Sequence, residues 1–177
     1  MIDALLPQAY LIGLVAILAV AAVVVARQVW RVRRDEVTLA RLEQQGGTSK
    51  GSAADLYELG SAQLRKRLYG QAADNLKLAL KRAQGDSEPA EAIALIENGL
   101  GFALAAQNNY KSAISHYRKA LAAKADYPVA LNNLAFALEK QFKLDEAREA
   151  YEQALSLDPD NKTARKRLTL LERKTAA

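Results

Sequence analysis

Two adjacent stretches of equal length decide the fold of this chain. Residues 94–127 are ALIENGLGFALAAQNNYKSAISHYRKALAAKADY, and residues 128–161 are PVALNNLAFALEKQFKLDEAREAYEQALSLDPDN. The second stretch repeats the first at an offset of 34 residues, which aligns these pairs: Leu100 and Leu134, Gly101 and Ala135, Ala113 and Ala147, Tyr117 and Tyr151, Ala120 and Ala154. Self-similarity at one fixed period predicts a repeat architecture.

A third copy lies upstream, with Gly60 and Leu76 at the corresponding positions. The period and these positions resemble the tetratricopeptide repeat (TPR), whose two antiparallel helices, A and B, bury their apolar faces only by stacking on neighbouring repeats. We assign three repeats within residues 53–161, at 53–86, 94–127 and 128–161. The predicted fold class is all-α, with a single N-terminal transmembrane helix, a three-repeat TPR helical solenoid and a C-terminal capping helix.

Small and large residues alternate in a way that this fold explains. A small residue on helix A lets helix B approach closely, and a larger residue on helix B fills the space between repeats. The small residues are Gly60, Gly101 and Ala135, and the larger ones are Leu76, Tyr117 and Tyr151. We interpret all six as core residues without a binding role.

Two segments depart from the repeat. Residues 87–93 add seven positions between the first two repeats. We expect them to lengthen helix A of the second repeat at its start, with Ser87 as its cap. Residues 162–177 place Ala164, Leu168 and Leu171 on one stripe among basic residues, which is typical of the polar-faced helix that covers the last repeat of a solenoid.

The N-terminal segment predicts a membrane span. Residues 4–26 contain no charged residue, and 23 residues of helix measure about 34 Å, enough for a hydrocarbon core of about 30 Å. The domain 1–26 is therefore assigned to an N-terminal tail and transmembrane helix.

Residues predicted at the membrane interface are Tyr10, Arg27, Trp30, Arg31, Arg33 and Arg34. Because the arginines follow the span, the N-terminus is expected outside and the bulk of the chain on the cytoplasmic or stromal side. A cleaved signal peptide would need its positive charge before the apolar stretch.

Residues 27–52 connect the span to the repeats. Residues 27–45 are predicted to continue as a basic juxtamembrane helix, either a solvated stalk, which we favour, or a partner-binding helix. Residues 46–52 contain three glycines and no apolar side chain, which is typical of a flexible linker.

Composition excludes several functions. The chain has no cysteine and one histidine, His116, so thiolate metal sites and His-dependent triads are unavailable. We expect His116 at a surface or boundary of helix B.

Lys and Arg outnumber Asp and Glu by six to three in residues 27–52 and by six to two in residues 160–177, whereas residues 53–159 carry thirteen against fourteen. A nucleic-acid binder concentrates basic charge on its folded domain. We therefore expect no enzyme activity, cofactor, nucleic acid or small-molecule substrate.

TPR stacks present their A helices on a concave face, and by resemblance set positions of each repeat point into it. These positions predict the following protein-binding groove residues: Tyr57, Ser61, Arg65, Leu95, Asn98, Phe102, Val129, Asn132, Phe136 and Lys140. Asn98/Asn132 and Phe102/Phe136 recur at the repeat period, so we expect an exposed asparagine ladder for a peptide backbone beside aromatic pockets. If the asparagines are exposed, replacing both with alanine should change stability little. Tyr57 and Asn98 do not match the clamp that binds chaperone C-terminal tails in some TPR proteins.

The whole layout resembles the membrane-anchored TPR assembly factor of photosystem I in oxygenic photosynthetic membranes. The opening Met-Ile-Asp-Ala-Leu-Leu-Pro-Gln-Ala-Tyr contributes to the resemblance. It implies a single-pass thylakoid protein with a lumenal N-terminus that binds photosystem I subunits or assembly intermediates and holds no pigment or cluster. The alternative is an anchored TPR adaptor in another bacterial envelope or translocation pathway.

Overall fold

The computed structural model describes residues 5–44 and 51–175, and every regular element within these ranges is an α-helix. The eight helices are α1 (Leu5–Gln44), α2 (Ala53–Arg65), α3 (Tyr69–Gly85), α4 (Ala90–Ala106), α5 (Tyr110–Ala123), α6 (Pro128–Lys140), α7 (Leu144–Leu157) and α8 (Lys162–Thr175). The chain divides into two units, residues 1–41 and residues 42–177.

The first unit contains all but the last three residues of α1, a 40-residue helix that is about 60 Å long at 1.5 Å per residue. Within the described residues one stretch, Leu11–Trp30, is long and apolar enough to cross a membrane, and none of it is buried by protein. Of the predicted interface residues, Arg27, Trp30 and Arg33 are exposed. The side chains of Tyr10, Arg31 and Arg34 lie outside the described part of the chain, as do residue 45 of the predicted juxtamembrane helix and residues 46–50 of the predicted linker.

The second unit is built of helix pairs, and the two helices of each pair are joined by a turn of the same type. The pairs α2–α3, α4–α5 and α6–α7 each contain a residue with positive φ in the turn: Arg67 at 61°, Asn108 at 62° and Phe142 at 58°. In each turn the next amide donates a hydrogen bond back into the A helix, as from Lys143 N to the Leu138 carbonyl oxygen at 3.0 Å. This is the Schellman arrangement, which ends a helix with one left-handed residue and satisfies its last carbonyl groups.

The close approach of the helices within a repeat is as predicted. A Cβ atom added to Gly60 would lie 2.7 Å from Leu76 Cγ, and one added to Gly101 would lie 2.6 Å from the Tyr117 ring. Leu76, Tyr117 and Tyr151 are among the largest fully buried side chains. Burial raises the pKa of both tyrosine hydroxyls. The core positions of the repeat pattern are therefore confirmed.

The seven extra residues are shared between two helices. Helix α3 has 17 residues against 14 in α5 and α7, and α4 has 17 against 13 in α2 and α6. The differences, three and four, add to seven. The expected lengthening of α4 at its start is confirmed, but α3 is also lengthened at its end.

The expected cap at Ser87 is wrong. Ser87 has a φ of 55° and follows the end of α3, where Glu88 N donates to the Ala83 carbonyl oxygen at 2.9 Å. Ser87 therefore occupies the left-handed position that terminates α3. Helix α4 begins after Pro89, whose φ of −57° suits a helix start and which offers no side-chain cap.

The last helix, α8, packs on α7. Ala164 and Leu171 are buried in the same core cluster as Tyr151, and Leu168 packs against that cluster. The predicted apolar stripe of the terminal helix thus faces the last repeat, and its basic residues lie elsewhere.

Candidate functional site

The A helices of neighbouring repeats contact one another. Besides the contacts within each repeat, α2 contacts α4 and α4 contacts α6. In a stack of helix pairs, the equivalent helices that contact one another from repeat to repeat line the inner, concave side. The predicted groove residues belong to these three helices and so lie on the concave side.

One cleft on this side brings the two predicted phenylalanines together. The cleft has a volume of about 300 Å³. It is lined by these residues: Phe102, Ala105, Ala106, Asn108, Tyr110, Tyr117, Asn133 and Phe136. The lining is mostly apolar and carries few polar groups, the composition expected of a site for an apolar side chain of a ligand.

The two rings differ in how far they are covered. Phe136 is half-buried, with the Lys140 ammonium 5.4 Å and the Arg167 guanidinium 5.0 Å from its centroid. Phe102 is 43% exposed and meets the Tyr69 ring edge-on at 6.5 Å. Phe102 therefore offers more free apolar surface to a ligand, and Phe136 forms a wall held in place by two cations.

Asn98 is committed to neighbouring side chains. Its Nδ2 donates to the Tyr127 hydroxyl at 3.2 Å, and its Oδ1 accepts from Asn133 Nδ2 at 3.0 Å. The pKa of Tyr127 is raised, mainly by burial and also by the nearby Tyr57 hydroxyl, against a lowering by the Asn98 hydrogen bond. The tyrosine thus stays an uncharged hydroxyl at neutral pH, and this part of the groove is polar but neutral.

Asn132 makes the corresponding bond one repeat later. Its Nδ2 donates to Asn161 Oδ1 at 3.1 Å, and the same oxygen accepts the backbone N–H of Ala164 at 3.1 Å. Because the Ala164 amide fixes the orientation of Asn161, it also fixes that of Asn132. Asn132 Oδ1 is buried and has no partner within the described residues.

The expectation of an exposed asparagine ladder is wrong. Asn98 and Asn132 are half-buried, and each bonds a residue 29 positions further along, so they tie consecutive repeats together. Their replacement removes hydrogen bonds worth about 0.5–1.5 kcal/mol each to stability. An asparagine double mutant therefore cannot separate binding from folding.

The remaining predicted groove residues lie elsewhere along α2, α4 and α6. Tyr57 and Leu95 share a small cleft of about 110 Å³ between the starts of α2 and α4. Its wall includes Ala92, which belongs to the lengthened start of α4. Ser61 is half-buried, and Arg65, Val129 and Lys140 are exposed. Their role in a groove stays a prediction.

Sequence reasoning missed two residues of this site, Asn133 and Tyr127. Asn133 lines the phenylalanine cleft and also holds Asn98, and Tyr127 holds the other end of the same amide. The available signal was the Asn132-Asn133 doublet, in which only the first residue occupies a position assigned to the groove by resemblance.

His116 occupies the boundary position that was predicted, but it has a partner. Its Nδ1 lies 2.6 Å from Oε2 of Glu97, a carboxylate on α4 that is almost fully buried. The pair joins α4 to α5 within the second repeat, and neither residue lines the phenylalanine cleft.

Comparison with known proteins identifies the class. The family description "Tetratricopeptide repeat" matches residues 128–161, and "TPR repeat" matches residues 101–141. Solved structures agree: the first TPR of Spaghetti (RPAP3) bound to an HSP90 peptide has a TM-score of 0.64 at 24% identity, covering 71% of this chain and 94% of that one. MamA has a TM-score of 0.64 at 22% identity, covering 78% and 75%. The chain is a TPR solenoid protein, as its repeats predict, and these structural likenesses concern the fold alone.

Sequence relatives narrow the class to a family. The ycf37 protein of Guillardia theta is 35% identical over 167 residues, which cover 94% of this chain and 93% of that protein. The ycf37 protein of Cyanophora paradoxa is 31% identical, covering 82% and 83%. The chain belongs to the ycf37 family of TPR proteins. The chloroplastic TPR protein PYG7 of Arabidopsis thaliana is 32% identical over 92% of this chain, which spans 53% of that longer relative.

Proposed function

We propose that this protein is a membrane-anchored TPR scaffold that binds subunits or assembly intermediates of a membrane complex, and that the complex is photosystem I. A TPR stack presents a rigid concave surface that is suited to holding a segment of another protein. Two observations support the choice of complex. The relatives match nearly the full chain, and one of them is chloroplastic by name. The layout also resembles that of the photosystem I assembly factor.

The observation that carries the binding role is the cleft beside Phe102. Phe102 is 43% exposed in a concave, apolar-lined cleft, and an aromatic anchor in such a cleft is typical of a protein-binding hot spot. Asn133 lines the cleft and has a second Nδ2 hydrogen besides the one given to Asn98. The Tyr110 hydroxyl in the same lining donates to Asn108 and can still accept a hydrogen bond from a bound segment.

The test replaces this anchor and a matched control. We expect Phe102→Ala to lower the recovery of photosystem I subunits with the tagged full-length chain from detergent-solubilised thylakoid membranes about five- to thirtyfold, as a loss of 1–2 kcal/mol requires. The control, Leu157→Ala, removes a residue of nearly equal exposure, 44%, at the end of α7. Leu157 lies on a B helix, so its replacement should leave recovery unchanged.

The outcomes separate three cases. Equal recovery for both variants, with equal melting temperatures, would move the binding site away from the concave cleft. Recovery of a different envelope complex with the wild-type chain, and loss of that complex in Phe102→Ala, would keep the scaffold role and replace photosystem I by the alternative pathway. No recovered complex with the wild type would contradict the assembly role itself.

The anchor and its orientation are part of the same proposal. Leu11–Trp30 would cross the thylakoid membrane, with the N-terminus in the lumen and the TPR repeats on the cytoplasmic or stromal side, because Arg27, Arg31, Arg33 and Arg34 lie at or just after its C-terminal end. Protease added to the stromal side of intact thylakoids should digest the repeats and leave a small protected fragment. Protection of the repeats would reverse the orientation.

A further inference from the structure

The outer side of the solenoid carries a basic cleft that the concave site does not use. The cleft has a volume of about 660 Å³ and lies between α5 and the turn that joins α6 to α7. It is lined by these residues: Lys111, Ile114, Ser115, Arg118, Lys119, Ala122, Gln141 and Lys143. Four of the eight are cationic and none is acidic, and Ile114 and Ala122 provide an apolar floor.

The repeat pattern does not require this charge. At the corresponding positions of α7, 34 residues later, the chain has Asp145 in place of Lys111 and Glu152 in place of Arg118. The same structural face is thus basic on one repeat and acidic on the next, although both belong to one fold. The core of a repeat cannot explain a choice of charge on its exposed face.

One wall of the cleft is fixed by a shared carboxylate. Glu146 accepts from Lys143 Nζ at 2.8 Å and from Arg118 at 2.6 Å, and the Lys143 hydrogen bond is the largest cause of its lowered pKa. No partner is found for Lys111 and Lys119 within the described residues. The cleft therefore keeps an excess of positive charge after its internal ion pairs are counted.

Phe142 stands beside this cleft and is exposed at an energetic disadvantage. It lies between two residues that line the cleft, Gln141 and Lys143. It is 88% exposed and has a φ of 58°, a conformation that is unfavourable for a bulky side chain. The corresponding turns carry Arg67 and Asn108, so the turn itself does not need an aromatic residue. A strained and exposed aromatic next to a charged cleft is typical of a binding anchor.

We propose that this outer surface, the basic cleft with Phe142, binds an acidic segment of a partner protein that carries a large apolar side chain. Free lysines meet the carboxylates, and Ile114, Ala122 and Phe142 meet the apolar group. From Lys111 to Ala122 the helix rises about 17 Å, which about five or six extended residues span. An acidic peptide fits better than a membrane surface, because a flat bilayer cannot reach the floor of a concave cleft.

The test measures peptide binding by the full-length chain in detergent. The probe is a fluorescein-labelled peptide rich in Asp and Glu with a central Leu-Phe pair, and its counterpart has Asn and Gln in place of the acids. Fluorescence anisotropy should show binding of the acidic peptide, at least about tenfold weaker binding by Lys111→Glu/Lys119→Glu, equivalent to 1.4 kcal/mol, and no binding of the neutral peptide. The control, Lys77→Glu/Lys81→Glu, makes the same charge change on exposed positions of α3 and should bind as the wild type does.

A second variant tests whether Phe142 contributes to peptide binding or only to the stability of the fold. Phe142→Gly places the preferred residue at a left-handed position, so it should melt no lower than the wild type while binding the acidic peptide several-fold more weakly.

Three results would overturn the proposal: equal weakening by the α3 control pair, unchanged binding by Phe142→Gly, or binding of the α5 cleft to anionic phosphatidylglycerol vesicles without binding of the peptide. Concentration-dependent self-association that Lys111→Glu/Lys119→Glu abolishes would also overturn it, in favour of the acidic α7 face of a second copy. Recovery of photosystem I with Phe102→Ala is a separate measurement, so the two proposals fail independently.

Discussion

Two glycines on α4, two positions apart, test how closely the helices of a repeat approach. A Cβ atom at Gly101 would lie 2.6 Å from the Tyr117 ring, whereas one at Gly99 would meet Leu76 Cδ1 at 3.5 Å, an ordinary contact. Both glycines are buried in the same helix. The two positions therefore differ in the space available for a methyl group: Gly101 lies too close to the Tyr117 ring, whereas Gly99 leaves room against Leu76.

Opposite effects are expected from the same substitution at these positions. Gly101→Ala should destabilise the domain by about 1–3 kcal/mol because the tyrosine ring must move. The third repeat already pairs Ala135 with Tyr151, so the lower end of that range is expected. Gly99→Ala should stabilise by up to about 1 kcal/mol through helix propensity. Urea unfolding measures both, and a stability loss at Gly99 equal to that at Gly101 would contradict the packing described.

The buried carboxylate of Glu97 depends on His116. Their side chains meet at 2.6 Å, and His116→Ala would leave Glu97 buried without this partner. We expect a loss of about 1–3 kcal/mol in unfolding free energy, against less than about 0.5 kcal/mol for Ser115→Ala on the exposed face. Adding Glu97→Gln to His116→Ala should recover part of the loss, because an uncharged amide is less costly to bury. If His116→Ala unfolds like the wild type, the pair has no structural role.

At the scale of elements, the terminal helix offers an internal comparison. Leu171 is 1% exposed and Leu170 is 39% exposed, although they are adjacent on α8. Leu171→Ala should lower the unfolding free energy by about 2–4 kcal/mol, because it leaves a cavity against the last repeat. Leu170→Ala should cost less than about 1 kcal/mol. Equal losses would mean that α8 does not cover the last repeat through its apolar stripe.

The repeat period predicted which elements form, because each helix pair has its own apolar pattern and needs only its neighbours to fold. It could not divide the seven extra residues between α3 and α4. Ser87 is a good capping residue by type, but its backbone conformation depends on where α3 stops. The period also could not show that Asn98 is occupied by Tyr127 and Asn133, since these contacts join positions 29 and 35 residues apart and depend on how one repeat rotates on the next.

Phe142 is a further residue whose role the sequence pattern could not predict. Its position in the repeat identifies it as a turn residue, and turn residues of this kind are usually glycine or asparagine. Only the structure shows that the aromatic ring stays in solvent, in a turn whose neighbouring residues line a basic cleft. A local conflict between sequence and conformation is where a functional surface is to be sought, and it was not among the predicted site residues.

At the scale of the whole molecule, the stability of the repeats is expected to be independent of the anchor. The units at residues 1–41 and 42–177 are each compact by themselves, and a solenoid needs only neighbouring repeats and caps at its ends. The N-terminal cap is Ser52, whose Oγ accepts from Asp55 N at 3.1 Å while Asp55 Oδ2 accepts from Ser52 N at 2.9 Å. This reciprocal pair satisfies two donors at the start of α2, so it marks where an autonomous domain can begin.

A fragment of residues 51–177 should therefore be soluble, helical and cooperatively folded without α1. Replacing Ser52 by alanine in this fragment should cost about 1 kcal/mol, which lowers the melting temperature by about 3–6 °C for a domain of this size. Circular dichroism measures both the helix content and the melting curve. Ser61→Ala, a serine replaced within the same helix, separates loss of the cap from loss of any serine.

Aggregation of the fragment, or a melting temperature far below that of the full-length chain in detergent, would show that α1 or the segment after it belongs to the fold. An unchanged melting temperature for Ser52→Ala would instead show that α2 frays at its start, and that the folded repeats begin further along the chain.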